Sequence, residues 1–140
     1  MNIRKNYIVN GPINAPSEEI GNLIYDAVNW FLAKYNMQDV GNRFGGRHHT
    51  ETVRITVNAS TMKDLDCYGQ CYEWDGDTTK CNYVIDVACD QGLRDLLATV
   101  FHECVHLWQW ERNHWKGYGE REANELQYQL ADEYWRSGNV

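Results

Sequence analysis

The sequence predicts an α+β protein: a small twisted sheet of three to four strands, packed on a backing helix, a histidine-bearing helix and a C-terminal glutamate-rich helix. Three observations carry this. Apolar residues recur at three- and four-residue steps in separate stretches around 17–35, 90–113 and 120–136; they alternate with polar ones over Thr52–Asn58; and a Gly-containing turn divides two strand-like runs near the middle. At 140 residues, without repeats or linkers, the chain reads as one domain spanning 1–140.

Residues up to Pro16 hold many asparagines and two prolines and read as an irregular lead-in, with one short edge strand near Tyr7-Ile8-Val9. Ser17 is placed to cap a helix whose first turn carries Glu18 and Glu19 near the positive end of its dipole. Ile20, Leu23, Ile24, Ala27, Val28, Phe31 and Tyr35 form its packing stripe, which ends before Gly41. A glycine-rich loop leads to the alternating strand, in which Val53, Ile55 and Val57 form the apolar face. After a short connection of about one helical turn, Cys67–Trp74 and Lys80–Val87 bracket Asp75-Gly76-Asp77-Thr78 as a hairpin. Its first arm reads as an edge strand and Val84–Val87 as a central one. Asp90 is the expected N-cap of the next helix, whose core face is Leu93, Leu96, Leu97, Val100, Cys104 and Leu107. Gly117 and Gly119 break the chain, and Glu120–Arg136 forms the last helix, with Ala123, Leu126, Leu130, Ala131 and Tyr134 inward.

Composition narrows the function. A formal net charge of -7 disfavours non-specific nucleic-acid binding, and Arg43, Arg47, His48 and His49, the basic cluster before the helix, read as a solvated loop. Met1–Asn6 is not followed by an apolar signal segment and no run is long enough to span a membrane, so the expectation is a soluble, cytoplasmic protein. Its five cysteines, Cys67, Cys71, Cys81, Cys89 and Cys104, should then be reduced. None of them shows the C-x-x-C spacing of a structural zinc site, Cys104 belongs to the core stripe, and Cys71 and Cys81 are expected to be neighbours across the hairpin.

The chemistry is concentrated in Phe101-His102-Glu103-Cys104-Val105-His106. Residues four apart on a helix lie almost one above the other, so His102 and His106 can offer nitrogens to one point, a geometry that suits zinc. Glu103, about 100° round the helix, can reach a water at the metal as general base without being a ligand. A lone histidine pair on an amphipathic helix is ordinarily structural; Glu103 and the carboxylates downstream are what favour a metal. Catalytic zinc takes three protein ligands, and Glu120, Glu122 and Glu125 are the candidates for the third.

Glu120-Arg121-Glu122-Ala123-Asn124, downstream of the histidine motif, resembles the E-x-E-A-D/N signature of gluzincin metallopeptidases, as in the ImmA/IrrE-like and CAAX-prenyl-peptidase-like groups. The resemblance implies a zincin-like fold, Glu120 as the third zinc ligand and Asn124 as hydrogen-bond partner of a ligand histidine. His106-Leu107-Trp108-Gln109-Trp110 followed by Gly117-Tyr118-Gly119 also resembles SprT-type proteases, where a histidine stands roughly at the place of Tyr118. The expected activity is hydrolysis of a peptide bond in a protein or peptide substrate, with Tyr118 or His114 stabilising the oxyanion and the arm Gly69–Trp74 pairing with extended substrate. Trp108, Trp110 and Trp115 are candidates for a hydrophobic subsite, against the commoner role of core packing. The alternative is a zincin-fold binding or regulatory module whose zinc is structural.

Overall fold

The computed structural model describes residues 4–37, 50–65, 67–74, 82–112 and 119–138. Strand β1 (Arg4–Ile13) is followed by helix α1 (Glu18–Lys34), strand β2 (Thr50–Ser60), the single turn α2 (Met62–Leu65), strands β3 (Gly69–Trp74) and β4 (Asn82–Ala88), and helices α3 (Leu93–Glu111) and α4 (Glu120–Arg136). The architecture is α+β, a four-stranded mixed sheet in the order β1-β2-β4-β3 with three long helices. β1, β2 and β4 run parallel, and β3 lies antiparallel to β4 on one edge, with Cys71 opposite Ile85.

The alternation read from β2 is real: Val53, Ile55 and Val57 are fully buried, as are Ile85 and Val87 of β4. These side chains share one face with Val9 and meet Ile24, Val28 and Phe31 of α1 and Val100, Phe101, Cys104 and Leu107 of α3 in one core. On the other face Asp86 accepts hydrogen bonds from Asn58 Nδ2 at 2.8 Å and Gln70 Nε2 at 2.7 Å, stitching β2, β4 and β3 side by side. The α1 cap forms as the sequence predicts, with the Ile20 N–H donating to Ser17 Oγ at 3.2 Å.

Three expectations need correction. The N-terminal segment is no irregular lead-in but a ten-residue strand. Parallel pairing with β2 secures its backbone, and the register slips between Asn10 and Ile13, around Pro12, which has no N–H to give. Asp90 does not cap α3: Gly92 holds that position without a side-chain bond, because the Asp90 carboxylate accepts the Met62 N–H at 2.8 Å instead. Leu93 leaves the core stripe and is 39 % exposed, since the first turn of α3 projects past the buried layer. Cys71 stands opposite Ile85 in the β3–β4 register, and Cys81, its expected neighbour across the hairpin, lies outside the described residues. Cys71, Cys89 and Cys104 are free thiols, and Cys67 Sγ donates to Leu65 O at 3.6 Å.

Helix α3 is buried on two sides, against the sheet and against α4, so that Phe101 and Val105 are as enclosed as the predicted stripe. Trp30, Phe31, Phe101 and Tyr134 join α1, α3 and α4 through edge and tilted ring contacts with centroids 5.4–6.4 Å apart. Deleting one such ring typically costs about 3–5 kcal/mol. Glu111, at the far end of α3, accepts from Tyr7 and Tyr83, which fixes the helix to β1 and β4.

Candidate metal centre

With two sides of α3 packed away, its remaining face carries His102 and His106, and their imidazoles stand one turn apart with centroids 4.8 Å from each other. Their Nε2 atoms are 3.2 Å apart. Gly119, at φ +73, turns the chain into α4, so the next residue, Glu120, begins that helix opposite the histidines. Its Oε1 lies 3.3 Å from His102 Nε2 and 2.5 Å from His106 Nε2. Donors about 2.0–2.1 Å from a tetrahedral ion stand roughly 3.3 Å from one another, and two of the three separations match that figure. His102, His106 and Glu120 form the one cluster among the described residues able to hold a metal ion.

Each histidine is oriented from behind. His102 Nδ1 donates to Gln127 Oε1 at 2.8 Å, and His106 Nδ1 donates to Gln109 Oε1 at 3.0 Å. Both rings therefore turn their Nε2 lone pairs toward Glu120. Sequence reasoning passed over both glutamines, although the signals were there: Gln109 is three residues beyond His106, hence on the same face, and Gln127 lies two turns beyond Glu120. Asn124, which the resemblance pairs with a ligand histidine, is exposed on the cleft wall, and Gln127 does the work at His102 because its longer side chain springs from nearer the Glu120 face.

Partial burial raises the Glu120 carboxyl, but the charges and hydrogen bonds of His102 and His106 outweigh it and hold the group below the usual carboxylate range. Glu103 behaves in the opposite way. It is 4 % exposed, and burial, followed by the nearby Glu120 and Asp86 carboxylates, pushes it up to about 8. Its Oε2 is buried with no hydrogen-bond partner among the described residues. A buried polar atom of this kind costs about 1–3 kcal/mol, and a metal with its water is the sort of group that would satisfy it. The donor set, two of its three separations and the orphaned Glu103 oxygen fit a divalent metal such as zinc.

His102, Glu103 and Glu120 open on a cleft of about 790 Å³ between the start of β3 and α4, lined also by Tyr68, Gly69, Thr99 and Tyr128. Glu122 is turned away and receives Gln109 Nε2 at 2.9 Å, and Glu125 is exposed and pairs with Arg121. His114, Tyr118 and Trp115 lie outside the described residues. The tryptophan subsite is not formed by the other two: Trp108 packs edge-on against Tyr35 and Trp110 stacks on Tyr83, both beside the core. Comparison with family models, curated proteins and solved structures found no match to this chain.

Proposed function

We propose that the chain is a zinc-dependent peptidase with a zincin-like fold, in which His102, His106 and Glu120 hold the metal and Glu103 is the general base. The observation that carries this reading is the meeting of three ligand-type donors with the buried Glu103, one carboxylate oxygen of which has no hydrogen-bond partner among the described residues, at the wall of an open cleft. Zinc, when bound there, supplies Lewis-acid polarisation of the scissile carbonyl and lowers the pKa of water it coordinates towards about 7.

The protein's own residues supply the rest. Gln109 and Gln127 hold the Nδ1 side of both imidazoles, so that each ring turns its Nε2 toward Glu120. Glu103 accepts the proton of the attacking water and carries it to the leaving amine. The edge strand β3 runs from the cleft wall at Gly69, antiparallel to β4, and its outer edge is placed to pair with an extended peptide. An acidic cytoplasmic protein acting on peptide or protein substrates is the setting this implies. Among the described residues no helix is long and apolar enough to cross a membrane.

The test joins metal analysis with cleavage of peptide mixtures by wild type and Glu103→Gln. One zinc per chain with cleavage that depends on Glu103 supports the peptidase. One zinc per chain with no cleavage of any peptide favours the binding or regulatory module, and absence of zinc overturns both.

A further inference from the structure

Gln109 is 1 % exposed, and all of its amide hydrogen bonds are made inside the protein. Its Nε2 donates to Gly119 O at 3.0 Å and to Glu122 Oε1 at 2.9 Å. A peptide carbonyl and a carboxylate oxygen only accept, so the NH₂ group must face them and the amide carbonyl must face His106. His106 then has to carry a proton on Nδ1, 3.0 Å from that carbonyl, and its Nε2 faces Glu120 Oε1. One side chain thus dictates the tautomer of a ligand on α3 and anchors the first turn of α4.

The anchoring point is sharply defined. A Cβ at Gly119 would fall 2.0 Å from Gln109 Oε1, and the φ of +73 there is one that side-chain-bearing residues rarely adopt. Gln109 therefore packs against bare backbone immediately before Glu120. Glu122 lies about 200° round α4 from Glu120, and its bond to Gln109 engages an oxygen that would otherwise be free to compete for a cation.

We propose that Gln109 is the positioning residue of the metal centre: it fixes His106 as the Nδ1–H tautomer and pins Gly119 and Glu122 so that Glu120 supplies the third ligand. This rests on the metal-centre reading above and goes beyond it by assigning the choice of ligand to a residue that never touches the metal.

The experiment compares wild type, Gln109→Leu, Gln109→Glu and Gln109→Glu combined with Glu122→Gln. Zinc affinity is read by chelator competition, and the His106 tautomer in the metal-free protein by long-range ¹⁵N–¹H correlation. Gln109→Leu should bind zinc about 10–100-fold more weakly and lose the Nδ1–H preference of His106. Gln109→Glu keeps an acceptor for His106 but sets oxygen against Gly119 O and Glu122, so it should retain the tautomer while losing affinity. Adding Glu122→Gln restores a donor–acceptor pair of reversed polarity and should recover part of that affinity, which a purely structural role for Gln109 would not require. Should Gln109→Leu not fold, the single and double Glu variants carry the comparison. Wild type binding one zinc, with equal affinity in the Gln109 variants or an unchanged tautomer in Gln109→Leu, overturns the proposal alone. Wild type binding no zinc overturns the metal centre with it.

Discussion

Gly69 lies against Glu103: a Cβ placed on this glycine would stand 3.3 Å from Glu103 Cγ, 2.7 Å from Thr99 Cγ2 and 3.1 Å from Asp86 O. The edge strand can press onto the Glu103-bearing face of α3 because nothing projects from residue 69. Gly69→Ala should therefore cost about 1–3 kcal/mol, the usual range for overpacking, and widen the cleft at Glu103. Urea unfolding gives the first quantity. Thr99→Ala in the same chain should return part of the loss by removing the nearest atom, and no recovery would mean that the clash lies elsewhere.

Glu103→Gln keeps shape and removes the base. Turnover of a cleaved peptide should fall at least about a hundredfold, the lower range of general-base contributions, while zinc content stays at the wild-type value. Cleavage at an unaltered rate would remove Glu103 from the mechanism.

The two glutamates at the start of α4 should separate cleanly. Glu120→Ala, like His102→Ala, should lose zinc on dialysis, whereas Glu122→Ala should retain it within a few-fold in affinity, since Gln109 still holds Gly119 O. Metal analysis of the dialysed variants checks this. The reverse order would move the third ligand by two residues.

Burial gives the metal-free protein a characteristic pH response. Burial holds the Glu103 carboxyl at about 8 in the fold, against an ordinary value of 4.5, so the folded state binds the extra proton between those values. Stability from this group is complete below about 4.5 and is lost as pH rises through about 8, by at most ~1.4 kcal/mol per pH unit. In chelator-treated samples, the stability difference between wild type and Glu103→Gln should shift against wild type from pH 5 to pH 8.5. A difference constant with pH would contradict the desolvation of this carboxyl.

Periodicity disclosed the helices and β2 because those segments bury one face against a neighbour, and such burial leaves its mark on the sequence. β1 was only partly legible: as an edge strand it draws support from backbone pairing with β2, which asks little of a side chain such as Asn10. The order β1-β2-β4-β3 was not legible, because parallel pairing between distant strands has no local signature. At the site, His102, Glu103 and His106 were readable from helical spacing alone, and Glu120 from its resemblance to a known pattern. Gln109 and Gln127 escaped notice since glutamine on a helix is ordinarily surface, and only the approach of α4 to α3 turns these amides inward. Asp90 misled for a related reason, since a residue suited to capping one helix can serve the backbone of another element.

The placement of the donors has a kinetic consequence. His106 and Glu120 are 14 residues apart in sequence, whereas the Tyr7–Glu111 bond that ties β1 to the same helix closes 104 residues. Closing the shorter loop costs less chain entropy, and contacts of low sequence separation form sooner. During refolding the α3–α4 pair should assemble its ligands ahead of the parallel sheet, so zinc would find its site while β1 is still unpaired, and metal added at the start of refolding would guide the chain as well as stabilise its end state.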